Sequence, residues 1–157
     1  MQDEQIQPIS AIGVKVAIIV SSYHSIITNE LARGARGCFI DAGGKKEDCL
    51  LIPAPGAWEL PLITKRAIVE HQPNLAIAIG CIIKGETNHD QVISHAIANG
   101  LMETNLEIGT VPISMGILTC QNIEQAQARA GGDHGNKGEE AMHAGLATLE
   151  TLRSMDK

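Results

Sequence analysis

The chain has 157 residues, enough for one domain with a real core, and its net charge of −6 comes without a basic run, which argues against nucleic acid as a main partner. Hydrophobic residues make up 44 %, yet the only aromatics are Tyr23, Phe39 and Trp58, so the core is aliphatic and a loop aromatic becomes a candidate ligand surface. Cys38, Cys49, Cys81 and Cys120 form no CxxC pair, which speaks against zinc and for reduced thiols in the cytoplasm. The acidic start Met1-Gln2-Asp3-Glu4 is unlike a secretory signal, and no apolar run reaches membrane-spanning length.

Residues 1–13 read as a polar, proline-containing arm with too few apolar residues to hold a core position, and residues 14–157 as one α/β domain. Val14–Val20 is a strand, almost wholly apolar, followed by the polar loop Ser21–Ser25. A helix is predicted from about Ile26 to Ile40, with Ile27, Leu31, Ala35 and Phe39 on one face. After a glycine-lysine connection, Cys49–Ile52 is a short strand ended by Pro53-Ala54-Pro55-Gly56. Ala57 to about Glu70 is helical with Pro61 in its first turn, where a missing N–H costs little. Leu75–Ile83 is the third strand, and a helix runs from His89 to Leu106. Val111–Leu118 is a fourth strand whose early proline favours an edge position. A short helix spans Asn122–Ala130, and a last one runs from about Lys137 to Arg153. The alternation implies a doubly wound, four-stranded parallel sheet, covered by helices on both faces as a three-layer α/β/α sandwich. Ligands in such sheets sit beyond the C-terminal strand ends, where all the distinctive loops fall.

The stretch Ala78–Asp90 is the most informative. A strand dense enough to be buried on both faces breaks at Lys84-Gly85-Glu86 and restarts as a helix near His89. Thr87 or Asn88 is the expected cap, with Asn88 and Gln91 spaced as a weak capping box. Free backbone N–H groups and the helix dipole favour an anion at that start, where His89 could move protons. A solvated histidine at a surface helix start is an equal reading of the same spacing. Tyr23 serves equally as a stacking face for a flat ring or as packing at the sheet edge. Trp58 and Glu59 either line the same cleft or act as a packing anchor and a first-turn carboxylate. Arg129 ends a short helix, where a cation opposes the dipole whatever else it does. His24, His71, His95, His134 and His143 show no metal-ligand spacing and read as surface or packed residues.

Four blocks in order then bring in a family. Tyr23-His24-Ser25-Ile26-Ile27-Thr28, Pro55 through Pro61, Gly80 through His89, and Ile123 through Gly138 together resemble 6,7-dimethyl-8-ribityllumazine synthase, across nearly all of the chain after the arm. The resemblance implies a flavodoxin-like fold and the condensation of 5-amino-6-(D-ribitylamino)uracil with 3,4-dihydroxy-2-butanone 4-phosphate. No metal and no organic cofactor is implied. It implies that Tyr23 stacks on the pyrimidine, that Ala57, Trp58 and Glu59 line the ribityl side, and that Cys81, Ile82 and Ile83 offer backbone groups to the ring. Gly85, Glu86 and Thr87 would seat the phosphate with Arg129, Lys137 would reach the pyrimidine carbonyl region, and His89 would transfer protons.

In that family each active site spans two subunits of a pentamer, and a compact link before the last helix accompanies sixty-subunit shells. Residues 129–138 look like the compact kind, so a homopentamer closing into a shell is expected. The chain departs from the family pattern at three positions. Met115 stands where many members place a phenylalanine from the adjacent subunit, Asp90 replaces an aromatic after the histidine, and Tyr23 adds a hydroxyl. A non-catalytic flavin- or lumazine-binding module and a lapsed shell protein are the competing functions. The set of His89, Arg129 and Lys137 weighs against both, because neither needs a phosphate clamp with a proton shuttle.

Overall fold

Four apolar runs become one parallel sheet in the computed structural model, which describes residues 8–156. The strands are β1 Val16–Ser21, β2 Cys49–Ala54, β3 Leu75–Ile83 and β4 Ile113–Cys120, in the order β2-β1-β3-β4. Helix α1, Ser25–Asp41, shares one face with the last helix, α5, Lys137–Met155. Helices α2, Leu60–His71, and α3, His89–Ile108, cover the other. A short helix, α4, Ile123–Ala128, follows β4. This is the expected three-layer, flavodoxin-like sandwich. Among the described residues no helix is long and apolar enough to cross a membrane.

Strand β3 is buried over nearly its whole length and has two different faces. Leu75, Ile77, Ile79 and Cys81 point into the core under α1 and α5. Ala76, Ala78 and Gly80 alternate with them, so the opposite face is thin. Small side chains let α2 come close: a Cβ on Gly80 would lie 3.0 Å from Leu60 Cδ1. That approach brings the 3₁₀ turn Ala57–Glu59, just ahead of α2, over the C-terminal end of the sheet.

Several boundaries differ from the sequence reading. β1 starts at Val16, although Val14 is buried, because pairing begins only where Leu75 and Cys49 lie alongside. β2 runs through Pro53 to Ala54 instead of ending there; it is an edge strand, and an edge tolerates a residue without an N–H. β4, the other edge, begins after Pro112, whose carbonyl accepts from the Ala76 N–H at 3.0 Å. The N-terminal arm also departs from expectation. Its residues 1–7 lie outside the described residues, but Ala11 is fully buried, drawn in by its N–H donating to Ala42 O at 2.9 Å.

The glycine-dense link before α5 is a small antiparallel hairpin, β5 Ala130–Gly132 and β6 Gly135–Asn136, which the sequence did not reveal. Gly131 and Gly135 hold φ of 100° and 77°, values open to glycine at little cost. Asn136 then starts α5. Its Oδ1 accepts from the N–H groups of Gly138 at 2.9 Å and Glu139 at 3.1 Å, and its Nδ2 donates to Glu30 O on α1 at 3.0 Å. Capping and docking are thus one side chain's work.

The docking is tight. A Cβ on Gly138 would fall inside the van der Waals envelope of Leu31 O, and one on Gly34 would overlap the Asn136 amide. Gly138→Ala is therefore expected to lose about 1–3 kcal/mol or more, since a backbone oxygen rather than a flexible side-chain end must give way. A denaturant midpoint unchanged from the wild type would show that the two helices part without cost.

Candidate active site

The strand order turns back on itself at β1, so loops leaving β1 and β3 diverge and leave a crevice at their C-terminal ends. A cleft of about 580 Å³ opens there. Tyr23 and His24 come from the loop after β1, and Gly56, Ala57, Trp58 and Glu59 from the segment after β2. Cys81, Ile82 and Ile83 end β3, and Lys84, Gly85, Thr87, His89, Asp90 and Ile93 carry the wall into α3. A second concavity of about 470 Å³, between α1 and β2, is lined in part by Ser21, Ser22, Ser25 and Pro53 but holds none of the candidate site residues.

The aromatic residues of the cleft stand open, Tyr23 at 66 % and Trp58 at 61 % exposure. In a chain this poor in aromatics, leaving both outside the core gives the cleft two flat apolar faces. His24 takes a left-handed conformation ahead of α1, with φ 56° and ψ 48°. Its ring meets Tyr23 edge-on, with centroids 4.6 Å apart. The sequence reading of His24 as a surface or packed residue did not say what it packs on, which is Tyr23 at the cleft. Glu59 folds back so that its Oε2 lies 3.1 Å from where a Cβ on Gly56 would stand.

At the start of α3 the expected capping box does not form. Asn88 is the capping residue without a side-chain bond, and Thr87 Oγ1 instead accepts from the His89 N–H at 3.3 Å. Gly85 holds no left-handed turn, and a Cβ on it would meet nothing within 4 Å. The fold itself therefore makes no demand for glycine there, and the bare backbone is left facing the cleft. The long α3 points its N-terminal dipole at this corner.

Not every predicted residue joins the cleft. Glu86 is exposed and off its lining, and Arg129, Lys137 and Met115 lie elsewhere on the same chain. Arg129 and Lys137 are nevertheless brought together, because the Lys137 N–H donates to Arg129 O at 2.9 Å across the hairpin. Lys137 Nζ pairs with Glu140 at 3.2 Å. Met115 is 48 % exposed on edge strand β4. Lys84 and Ile93 are lining residues that the sequence reading did not name as candidates; Lys84 stands one position before Gly85 and was read only as part of the turn.

Burial works against ionisation of all four thiols. Burial, with a smaller push from neighbouring Cys120, raises the Cys81 thiol from its ordinary 9.0 to about 12. Burial likewise raises Cys120, against the opposing pull of Arg129. The Cys81 side chain is therefore held as the neutral thiol.

The cleft thus lies at the switch point of a doubly wound α/β sheet, where such folds place small-molecule sites, with two exposed aromatic faces and a histidine at a helix start. Sequence comparison places the chain more narrowly. A family model described as 6,7-dimethyl-8-ribityllumazine synthase matches residues 13–153. A protein of that name from Stenotrophomonas maltophilia K279a is 38 % identical over 143 residues, covering 91 % of this chain and 92 % of its own. One from Chlorobium chlorochromatii is 37 % identical over 99 % of this chain and 100 % of its own. Another, from Xanthomonas axonopodis pv. citri, is 40 % identical over 90 % of both. The chain belongs to the 6,7-dimethyl-8-ribityllumazine synthase family of transferase-type enzymes.

The thiol shift has a consequence for stability. The folded state keeps the Cys81 proton up to about 12, whereas the unfolded chain releases it from about 9, so the folded state binds more protons in that window. Stability is expected to fall as pH rises from 9 toward 12, and Cys81→Ala to fall less steeply. Parallel denaturation midpoints for the two proteins at pH 8 and pH 10 that decline alike would contradict this.

Proposed function

We propose that the protein condenses 5-amino-6-(D-ribitylamino)uracil with 3,4-dihydroxy-2-butanone 4-phosphate to 6,7-dimethyl-8-ribityllumazine, releasing phosphate and water, as the penultimate step of riboflavin biosynthesis. Family membership carries this reading, and the placing of His89 at the mouth of α3 beside two open aromatic faces supports it. The pyrimidine brings its own amine, so the chemistry needs no Schiff-base lysine. The amine attacks the ketone carbon, water leaves as the imine forms, and phosphate leaves as a proton is taken from the adjoining carbon. The enol left by that elimination returns to a carbonyl, the ribityl-bearing nitrogen attacks it, and a second water leaves as the ring closes.

Holding two substrates in register provides much of the acceleration. Tyr23 stacks on the pyrimidine, and Ala57, Trp58 and Glu59 line the ribityl chain, with Glu59 accepting a hydroxyl hydrogen bond. Backbone groups of Cys81, Ile82 and Ile83 meet the ring edge. Gly85, Glu86 and Thr87 seat the phosphate through backbone groups at the helix start. His89 relays protons, as imidazole can in both directions near neutral pH. The four free thiols support a cytoplasmic setting.

When the two substrates are mixed with the protein, blue-green lumazine fluorescence and free phosphate should appear together. His89→Ala should slow that turnover by about 10²-fold while leaving some, since proximity alone still helps. Wild-type turnover in the variant would remove His89 from the proton relay.

Assembly completes the reading. Arg129, Lys137 and Met115 lie off the cleft of their own chain, so we take the cleft's phosphate cation and its second ring wall from a neighbouring copy. The exposed apolar side chains Leu62 and Val69 on α2, and Val92, Met102 and Leu106 on α3, give subunits an apolar face to bury. Head-to-tail contacts of this kind close into rings. The ring is a homopentamer, and the compact 130–136 hairpin favours closure into a sixty-subunit shell of about 1 MDa, from chains of 16.7 kDa. Light scattering in phosphate buffer should show that particle. A species of about five chains at every concentration would end the shell and spare the pentamer, and a monomer would end both.

A further inference from the structure

Asp90 has no part in the reaction as set out above, yet it is the only charged side chain buried among the described residues, at 7 % exposure. Its Oδ1 is shut away from solvent with no hydrogen-bond partner among those residues. A carboxylate oxygen out of water and without a donor is costly. The helix start offsets part of that cost, since Asp90 sits in the first turn of α3. An offset is not a partner, however, and the residue also lines the cleft.

The helix period says where it faces. Asp90 is three residues before Ile93 and seven before Ile97, which pack against Ala57, Ala78 and Ile82. Its side of α3 therefore looks toward the 57–59 turn and the end of β3, and α3 packs on that turn. His89, one step round the helix, does not share this face. Asp90 is thus no orienting partner for the histidine, but an acceptor set in the wall that carries Trp58 and Glu59.

We infer that on substrate binding the Asp90 carboxylate turns from its buried position toward the cleft it lines and accepts a hydrogen bond from a hydroxyl of the substrate's polyol chain, making Asp90 with Glu59 a specificity pair for a polyhydroxylated side chain. This rests on the substrate reading above. Of the two substrates, the ribityl compound offers several hydroxyl donors and no anion. The ketone brings its single free hydroxyl together with a phosphate, which a buried carboxylate repels.

The test is calorimetry on the assembled full-length protein with two probes that lack the 5-amino group and so cannot condense: 6-(D-ribitylamino)uracil and 6-(methylamino)uracil. Asp90→Leu, which removes both oxygens and keeps the branched framework, should weaken the ribityl probe about 10-fold to 100-fold and leave the methyl probe within about twofold. Asp90→Asn keeps an oxygen acceptor and should recover part of the loss; it carries the test alone if the leucine variant does not fold. The unfolding temperature of Asp90→Leu should hold or rise, because the oxygen removed had no donor. A lower unfolding temperature with unchanged affinities would make Asp90 a helix-start residue and overturn the inference. Equal weakening of both probes with loss of assembly would assign the oxygen to a subunit contact, and overturn it too. A wild type that makes lumazine while Asp90→Leu and Asp90→Asn bind the ribityl probe normally would sink this inference alone. A wild type that makes no lumazine and binds neither probe would sink the substrate reading beneath it as well.

Discussion

The thinness of one face of β3 governs the rest of the molecule. Ala76, Ala78 and Gly80 admit α2 to the sheet at a distance that a leucine or valine in their place would forbid. Because α2 sits so close, the 57–59 turn overhangs the strand ends and α3 can pack upon it. The cleft is the space that remains between that turn, the loop after β1 and the first turn of α3. The thick face, with Leu75, Ile77 and Ile79, anchors the same strand from the other side, so the floor of the cleft cannot yield.

A second close approach sets the far side of the molecule. Gly138 lets α5 touch α1 at Leu31, and Asn136 fastens the contact with bonds to both helices. The hairpin ahead of α5 is thereby fixed, and with it the backbone bond that joins Arg129 to Lys137. That bond sets the backbones of two cationic residues side by side, away from their own chain's cleft. The single chain presents a cleft with two open aromatic faces and a helix start, and separately a hairpin flanked by Arg129 and Lys137, and a methionine on a strand edge.

What could be read from the sequence divides along physical lines. β3 and the α3 start were legible because a buried apolar run and a glycine break leave a one-dimensional signature. The α1 face was legible because Ile27, Leu31, Ala35 and Phe39 repeat at helical spacing, and all four are buried. The hairpin β5–β6 was not, since strands of two or three residues hold too few side chains for a period and glycines leave no pattern. Pro53 misled because a proline's effect depends on which way its nitrogen faces, and only the sheet order decides that. The candidate residues within 81–89 came partly from local spacing, but Arg129, Lys137 and Met115 came only through family likeness. No local pattern marks them, and they lie off their own chain's cleft. Asp90 was visible as an oddity, while its burial and its unpaired oxygen are three-dimensional facts.

The open position of Trp58 has one more consequence. It is the sole tryptophan of the chain, so nearly all emission excited at the red edge of protein absorbance comes from the cleft rim. The molecule carries a built-in optical label at its site. A flat, electron-poor ring settling near that indole would quench it, so occupancy can be followed without a dye. The same label is nearly blind to the core: its indole is already wet in the folded state, and unfolding will shift its colour little. Circular dichroism must report the fold, and fluorescence the cleft.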